Sequence, residues 1–423
     1  MKYYPRKILP DLVEWIDKIP IIVIIGGRQV GKTVIMQLLS KELETLSIKA
    51  SQIVYLDLED FRNLDICSQD IDFFKKHLKL QGVDLSRKSY VFIDEIQYHP
   101  NPTNFMKLIA DHEENIQLIV SGSSTLDIRR KFKDALTGRK MLFHLQPLDF
   151  EEFLIFKDEK NVLDWYKSNC FINKQQSFDF IGFRILKEKL VQLANEFIIY
   201  GGYPGVVNTN EEKNKIKLLQ EIVQTYIRKD IKDFTQIEDV SAFNRLLVLL
   251  AGRVGNLLNL NELSNEARIS RKTLEKYIFL LENTFIIKLL TPFFKNINLE
   301  VVKMPKLYFL DTGIINSLHR NFNPLDFRSD RGALVENFVF KQLYSNLHIM
   351  DQFNFWRNKN KNEVDFILNG NPVEVKFQNF NSPSVPRGLK QFIKLYQPDK
   401  TIIVTKNYLY QDDKLLFIPY FMV

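Results

Sequence analysis

An eight-residue stretch near the amino terminus has the composition and spacing of a phosphate-binding loop. It fits the pattern G-x-x-x-x-G-K-S/T, and its members are Gly26, Gly27, Arg28, Gln29, Val30, Gly31, Lys32 and Thr33. Glycines let backbone N–H groups wrap a phosphate chain, and a helix that begins near Lys32 directs its positive end toward that chain. We expect Lys32 to reach the β- and γ-phosphates of ATP and the Thr33 hydroxyl to coordinate Mg²⁺. The stretch therefore predicts a nucleotide site.

Two acidic residues, Asp94 and Glu95, follow the apolar run Tyr90–Ile93. An acid at the end of such a strand holds Mg²⁺, and we assign that role to Asp94; Glu95 then polarises the attacking water. The alternative is a glycine turn and two solvated acids. It is disfavoured because the aliphatic run Ile21–Ile25 precedes the glycine-rich stretch and the helical pattern Val34–Leu46 follows it.

Three further side chains are candidates for the same chemistry. Ser121 and Ser123 follow the strand-like segment Gln117–Val120, where a hydroxyl can sense the γ-phosphate; a plain polar strand exit fits them equally well. Arg139 is a candidate arginine finger on the nucleotide of a neighbouring subunit, and a solvated arginine is the alternative. A finger that acts in this way requires a homo-oligomer.

Acidic residues also converge near the carboxyl terminus. Asp365 and Glu374 lie on strand-like segments that flank the turn sequence Asn369–Pro372, and a hairpin would bring them side by side. Alternation along the strand places Lys376 on the face of Glu374. Two carboxylates and a lysine suit hydrolysis of a phosphodiester: the acids bind a divalent metal and the lysine orients the nucleophile or the phosphate. A surface strand with an E-x-K sequence is the alternative.

A candidate DNA-binding motif lies between these regions, because residues 261–277 have the pattern of a helix, a short turn and a second helix. Ser270 suits the N-cap of the second helix. Its core face is predicted to carry Leu274, Tyr277, Ile278 and Leu281. The side chains left to meet a phosphate backbone or a groove are Arg271, Lys272 and Lys276. Phe285–Leu290 suits a wing strand, and the alternative is a winged helix used only for packing or partner contact.

The surrounding elements give an α/β fold class. Strand-like and helix-like segments alternate in the first third, which predicts a parallel sheet with helices on both faces. A mostly helical stretch follows from about residue 151, and β-rich segments return after residue 354. We expect a P-loop domain over residues 1–155, a helical region over 156–238, a winged helix over 239–320 and a C-terminal α/β domain over 321–423.

Composition narrows the class of protein without identifying the function. The 423 residues are 45% hydrophobic and 26% charged, which is ordinary for globular domains. The net charge of +7 permits a polyanionic partner such as DNA without requiring one. Cys67 and Cys170 form neither a disulfide framework nor a zinc pattern, and no apolar run reaches the roughly 20 residues that span a bilayer. We therefore expect a cytoplasmic protein with no membrane partner.

Several of these stretches together resemble a prokaryotic family of AAA+ ATPases, similar to archaeal ATPases with a C-terminal winged helix and a nuclease-like domain of unknown function. The stretches that carry the resemblance are Gly26–Thr33, Phe92–Gln97, Val120–Ser124, Leu136–Arg139, Pro147–Leu154, Tyr200–Val207, Tyr226–Ile231 and Leu307–Gly313. Asp365, Glu374 and Lys376 resemble the PD-(D/E)xK nuclease core, a restriction-endonuclease-like fold, with Val364 in place of its proline. In that superfamily an upstream helix often supplies another metal-binding acid, and Glu336 has this position.

The resemblance implies an Mg²⁺-dependent ATPase that binds DNA and carries a metal-dependent nuclease-like domain. The alternative is a nucleotide-operated DNA- or protein-binding switch whose nuclease-like domain is catalytically inactive. A defence ATPase directed against foreign DNA would use the same parts as a housekeeping protein, and the sequence does not separate the two.

Overall fold

The structure, a computed structural model, describes residues 4–123, 136–173, 178–225, 239–293 and 304–423. These residues form two compact units. The first comprises the described part of Met1–Gln146 with Asn283–Phe285, and the second comprises the described parts of Pro147–Arg228, Ile237–Glu282 and Ile286–Val423. The four-domain division stays a prediction. Ser124 and Tyr226–Ile231, which contribute to the resemblance, lie outside the described residues, as does the side chain of Ser123.

The first unit is built on a sheet of five parallel strands. The strands are β1 (Ile21–Gly26), β2 (Ile53–Asp57), β3 (Ser89–Asp94), β4 (Ile116–Ser123) and β5 (Lys140–Leu145). The helices described in this unit are α1 (Ile8–Glu14), α2 (Lys32–Thr45), α3 (Phe61–Ser68), α4 (Ile71–Leu80) and α5 (Pro102–His112). The strand order is β2-β3-β4-β1-β5, and each neighbouring pair is parallel. The carboxyl ends of the strands therefore meet at one edge, where ligands bind in open α/β sheets.

The sequence pattern explains the central strands and the helix that follows the loop. Every residue of β1 and β3 is buried, as expected for strands covered on both faces. In α2 the residues Ile35, Met36, Leu39 and Leu43 are buried at helical spacing, so one side of the helix packs on the sheet. The predicted alternation of strands and helices is confirmed. β5 was not predicted, because its sequence contains none of the β-branched residues that mark a strand.

The second unit contains a helical part and two sheets. Its described helices are α6 (Phe150–Phe156), α7 (Lys160–Asn169), α8 (Phe180–Tyr200), α9 (Pro204–Val207), α10 (Glu212–Thr225), α11 (Val240–Ala251), α12 (Leu260–Ala267), α13 (Arg271–Asn283), α14 (Thr312–His319), α15 (Arg331–Ser345) and α16 (Arg387–Tyr396). The small sheet pairs β6 (Ile287–Leu290) with β7 (Lys306–Phe309) in antiparallel orientation. α12 and α13 precede the β6–β7 pair along the chain, and the winged helix-turn-helix stays a prediction.

A mixed six-stranded sheet forms the C-terminal part of this unit. Its strands are β8 (Phe353–Arg357), β9 (Glu363–Leu368), β10 (Asn371–Lys376), β11 (Thr401–Thr405), β12 (Tyr410–Gln411) and β13 (Leu415–Pro419). The strand order is β12-β13-β11-β10-β9-β8, and α16 covers a buried core that includes Trp356, Leu389 and Phe392. The chain thus has the predicted mixed α/β class: a parallel sheet, and then a separate C-terminal sheet domain.

The predicted hairpin is confirmed as β9 and β10. Asn369 and Gly370 both have positive φ angles, of 50° and 81°, as a tight two-residue turn requires. Val373 is the partner of Phe366, and continuing this register sets Asp365 opposite Glu374.

None of the described helices is both long and apolar enough to cross a membrane.

Candidate nucleotide site and carboxylate cluster

The glycine-rich loop connects β1 directly to α2, as predicted. Gly31 has a φ of 96°, a left-handed conformation that glycine adopts without strain. A β-carbon on Gly26 would lie 2.3 Å from the carbonyl oxygen of Leu145, so this position accepts no side chain. The loop thus requires glycine at two of its positions for different reasons: backbone conformation at Gly31 and close approach of β5 at Gly26.

Lys32 is the first residue of α2, and its side chain turns back into the loop. It is only 6% exposed, and its Nζ atom donates hydrogen bonds to the carbonyl oxygens of Gly26 (3.3 Å) and Gly27 (3.2 Å). The same atom lies 3.8 Å from Oε1 of Glu95. Thr33, the next residue, is exposed at the start of the helix. The ammonium group is therefore held inside the loop by carbonyl and carboxylate oxygens.

Asp94 ends β3 and is almost fully buried. The Tyr55 hydroxyl donates to Oδ2 of Asp94 at 2.8 Å, while Oδ1 accepts the backbone N–H of Glu95 (3.1 Å) and contacts the Ser121 hydroxyl. Burial, with the Asp94 carboxylate beside it, raises the pKa of Tyr55 well above its usual range, so the phenol stays a donor. Asp94 is thus fixed in orientation by donors on three different elements of the sheet edge.

Glu95 and Ser121 complete the group at this edge. Glu95 has a φ of 55°, which is strained for a residue with a side chain and is typical of functional sites. Its backbone N–H donates to the Ser121 hydroxyl at 3.2 Å, and its carboxylate contacts the side-chain amide of Gln97. Of the two predicted serines, Ser121 therefore lies between the acids; the backbone of Ser123 ends β4.

Sequence reasoning missed Arg6 and Tyr55. The buried guanidinium of Arg6 donates to the carbonyl oxygens of Val30 (2.9 Å) and Gln146 (2.8 Å), and so supports the loop from the amino-terminal segment. Tyr55 lies on β2, beside the strand that ends in Asp94. No local spacing distinguishes Arg6. For Tyr55, a polar side-chain tip near the end of an apolar strand is a weak sequence signal of a site residue.

The donor set of this edge fits magnesium-bound ATP. The first N–H groups of a helix have no intrahelical acceptor, and no described side chain caps α2 at Gly31. By contrast α3, α4 and α5 are capped by Asp60, Asp70 and Asn101. An open helix start, the Lys32 ammonium and an oriented carboxylate at Asp94 are the groups that triphosphate and Mg²⁺ require.

Arg139 lies at the opposite edge of the sheet from the glycine-rich loop of its own chain. It immediately precedes β5, and its carbonyl oxygen accepts the N–H of Ile21 at the start of β1. The length of β1 thus separates it from the loop by roughly 16 Å. The side chain is 39% exposed and is paired with Asp111 on α5. The structure therefore leaves Arg139 no role on the nucleotide of its own subunit.

In the second unit the predicted carboxylates Asp365 and Glu374 lie side by side. The backbone N–H of Asp365 donates to Oε2 of Glu374 at 3.3 Å, and the N–H of Val375 donates to Oδ2 of Asp365 at 2.9 Å. Lys376 Nζ lies 2.6 Å from Oε1 of Glu374. Both acids are buried. Burial, with Asp365 beside it, raises the pKa of Glu374 above its usual range.

Glu336 lies on the predicted helix α15, and its carboxylate contacts Tyr308 and Lys306. Its Oε1 atom accepts the Tyr308 hydroxyl at 2.7 Å and lies 3.6 Å from Nζ of Lys306. Among the residues that the structure describes, no three Asp, Glu, His or Cys side chains are arranged to hold a metal ion. Asp365 and Glu374 fit the paired acids of a metal site, and Asp365 shares the Lys306 ammonium with Glu336.

Lys306 is the residue that sequence reasoning missed here. Its Nζ atom lies 2.6 Å from Glu363 and 3.4 Å from Asp365, in addition to its contact with Glu336. Although burial lowers the pKa of Lys306, these carboxylates raise it more, and the net shift is upward. The sequence feature that could have indicated Lys306 is a lysine at the start of the apolar segment Lys306–Phe309. We call Glu336, Glu363, Asp365 and Glu374, with Lys306 and Lys376, the carboxylate cluster.

The predicted DNA-contacting residues lie on α13. Ser270 caps this helix, because its hydroxyl accepts the N–H of Thr273 at 3.1 Å. The predicted core positions are buried, and Arg271, Lys272 and Lys276 are exposed. Arg271 is also engaged locally, donating to Glu275 and to Asn261, each at 2.9 Å. The exposed face of α13 therefore carries basic residues with one acid among them.

Three stretches of the chain match models of known protein families. Residues 18–154 match a family model described as an AAA domain. Residues 191–325 and 331–421 match two domains of unknown function, DUF8612 and DUF4143. Similar proteins include an uncharacterized protein of Methanocaldococcus jannaschii, 26% identical over 359 residues, which are 84% of this chain and 73% of that protein. An uncharacterized protein of Mycobacterium tuberculosis is 22% identical over 397 residues, which are 92% of this chain and 77% of that one.

Solved structures that the chain matches include the Walker-type ATPase of Pyrococcus abyssi, with 13% identity and a TM-score of 0.46 over 75% of this chain and 96% of that one. Orc1 of Aeropyrum pernix, solved in complex with DNA, has 10% identity and a TM-score of 0.30 over 74% of this chain and 91% of that one. The AAA-domain match over residues 18–154, on a parallel sheet with this loop, supports a place for the first unit in the AAA+ ATPase family, and with it nucleotide binding and hydrolysis.

Proposed function

We propose that this protein is a cytoplasmic, Mg²⁺-dependent AAA+ ATPase that binds DNA through a winged helix-turn-helix and carries a metal-dependent nuclease-like domain. ATP turnover would control the access of DNA to that domain or remodel a protein–DNA assembly. The observation that carries the ATPase part is the arrangement of Lys32, Asp94 and Glu95 at one sheet edge, with Ser121 in contact with both acids.

Each residue at this edge has a distinct task in hydrolysis. The start of α2 and the Lys32 ammonium bind and orient the β- and γ-phosphates. Thr33 and Asp94 would hold Mg²⁺, which supplies charge neutralisation to the phosphates when bound. Glu95 orients the attacking water and accepts its proton as a general base. Ser121 holds Asp94 and the Glu95 backbone in position.

The direct test of this part is ATP binding and hydrolysis by the purified full-length protein. Lys32→Ala should abolish ATP binding, because it removes the cation inside the loop. Lys18→Ala is the matched control, since Lys18 makes an exposed pair with Glu14 before β1. ATP binding that survives Lys32→Ala would refute the assigned site.

DNA binding is supported by the capped helix α13, with Arg271, Lys272 and Lys276 on its exposed face. Neutralising Lys272 and Lys276 together should weaken binding to duplex DNA and lower the salt dependence of the affinity, because each phosphate contact releases counterions. Unchanged affinity at several salt concentrations would assign these elements to packing or protein contact instead.

DNA cleavage is supported by the adjacency of Asp365, Glu374 and Lys376. In this proposal the two acids hold a divalent metal, which supplies a hydroxide nucleophile when bound, and Lys376 orients the nucleophile or the phosphate. Plasmid nicking in the presence of Mg²⁺ and ATP should disappear in Asp365→Ala and in Lys376→Ala, while ATPase activity stays intact. Nicking that survives both changes would place the metal site elsewhere.

A second candidate is a nucleotide-operated switch whose nuclease-like domain does not cleave. The observation that favours it is the Lys306 ammonium among the carboxylates, where a cation is already present. DNA binding without nicking, with identical behaviour of wild type and Asp365→Ala, would select this candidate.

Arg139 bears on the proposed homo-oligomer. Because it lies far from its own loop, it can act only on the nucleotide of another subunit. Arg139→Ala should then lower ATPase activity in the assembled protein, whereas Asp111→Ala, which removes its partner on α5, should not. A monomer that hydrolyses ATP at the full rate would exclude this role.

A further inference from the structure

Lys306 is almost completely buried, at 1% exposure. Its Nζ atom lies within 3.6 Å of three carboxylates on two segments: Glu336 on α15, and Glu363 and Asp365 on β9. The ring centre of Phe355 on β8 lies 5.6 Å from the same atom. A buried ammonium of this kind is stable only when carboxylates surround it.

The lysine and the acids come from different parts of the chain. Lys306 begins β7, whose partner is the candidate wing strand β6, and it lies in the stretch 191–325. The acids Glu336, Glu363 and Asp365 lie in the stretch 331–421. Tyr308, on the same strand as Lys306, donates to Glu336. The carboxylate cluster is therefore composite, because strand β7 supplies its central cation.

The other acids of the cluster also have cationic partners. Glu363 is shared between Lys306 and Arg357 (3.1 Å), and Glu374 is paired with Lys376. Asp365 directs Oδ2 to the backbone and Oδ1 to Lys306. A divalent cation bound by Asp365 would thus approach a carboxylate that already has an ammonium partner at 3.4 Å.

We propose that the Lys306 ammonium is the resident cation of this cluster and competes with a divalent metal for Asp365, so that strand β7 regulates metal binding. The inference rests on the metal-binding part of the proposed function. Two positive charges close to one carboxylate repel each other, so metal binding requires Lys306 to withdraw. Removing the ammonium should therefore tighten metal binding, the opposite of what a lysine needed only for packing would do.

The test is titration of the nucleotide-free, full-length protein with Mn²⁺, followed by calorimetry and by electron paramagnetic resonance of free Mn²⁺. Lys306→Met should bind Mn²⁺ at least tenfold more tightly than wild type, and adding Asp365→Ala to it should abolish the gain. Lys215→Met is the matched control: it removes another buried lysine of the same unit, paired with Glu196, and should leave Mn²⁺ affinity unchanged.

Lys306→Met leaves three carboxylates without their ammonium, so its folding is checked separately. Lys306→Gln keeps a polar group, and for both variants Mn²⁺ should raise the melting temperature more than it does for wild type. Equal or weaker Mn²⁺ binding by both variants, with binding that still depends on Asp365, would overturn the competition but keep the metal site. If neither wild type nor variants bind Mn²⁺ through Asp365, the metal role in the proposed function fails, and the competition fails with it.

Discussion

The Nζ atom of Lys32 lies 3.8 Å from the Oε1 atom of Glu95, so the proposed phosphate-binding lysine and the proposed catalytic acid face each other across the loop. The same ammonium is bound by the carbonyl oxygens of Gly26 and Gly27. A triphosphate that enters the loop must exchange these contacts for its own oxygens. In the proposed function Glu95 therefore has two opposing effects. It supports ATP turnover, and its carboxylate competes with the nucleotide for the Lys32 ammonium.

Glu95→Gln should separate these two effects. Glutamine keeps the size of the side chain but cannot act as a general base toward water. We therefore expect the rate of ATP hydrolysis to fall by about a hundredfold or more. ATP affinity should stay equal or rise, because Lys32 loses a competing carboxylate. Single-turnover hydrolysis and fluorescent-nucleotide binding measure the two quantities. Turnover equal to wild type would remove Glu95 from its assigned role.

Ser121→Ala should impair catalysis more than folding. The hydroxyl contacts Asp94 and accepts the Glu95 N–H at 3.2 Å, so its loss leaves both acids less well oriented. We expect turnover to fall by about tenfold, which corresponds to roughly 1.4 kcal/mol in the activation barrier. The matched control is Ser89→Ala: Ser89 is a buried serine at the start of β3, at the opposite edge, that donates to Asn115 at 3.0 Å. Equal losses of activity in both variants would indicate a general packing effect.

The parts of this molecule that were predicted from the sequence depend on short stretches of chain. The loop, the cap at Ser270 and the β9–β10 hairpin each depend on residues within about ten positions of each other, and the hairpin register then brings Asp365 to Glu374. Lys306 reaches Asp365 from 59 positions away, and periodicity carries no information about such a pairing. Arg6 supports Val30 in the same way, through a contact set only by tertiary packing.

Gly201→Ala should destabilise the second unit strongly. Gly201 has a φ of 75° and a ψ of −172°, a conformation essentially restricted to glycine, and a β-carbon there would lie 2.1 Å from the Asp311 carboxylate. We expect the free energy of unfolding to fall by about 3 kcal/mol or more. The matched control is Gly205→Ala in the same segment, where a β-carbon meets no atom within 4 Å; it should be neutral or mildly stabilising. Urea unfolding followed by circular dichroism distinguishes the two, and similar effects of both changes would contradict this account.

The carboxylate of Asp311 should make the second unit less stable as the pH rises toward neutrality. Asp311 caps α14 by accepting the N–H of Ile314, and its other oxygen accepts the N–H of Gly202 at 2.7 Å. Burial nevertheless raises the pKa of Asp311 to about 6, from an ordinary 3.8. Between these values the folded state binds more protons than the unfolded state, so this contribution to stability is complete below pH 3.8 and is lost as the pH rises through about 6.

From pH 5 to pH 7.5 the Asp311 contribution should fall by about 1.4 kcal/mol, the equivalent of one pKa unit. Asp311→Asn keeps a capping oxygen for Ile314 but does not titrate, so the measured quantity is the difference between wild type and Asp311→Asn in the free energy of unfolding. That difference should shift in favour of the variant as the pH rises, because the wild-type carboxylate must ionise while buried. Parallel pH profiles for the two proteins would mean that Asp311 is already ionised at pH 5, with the donors at Gly202 and Ile314 outweighing the cost of burial.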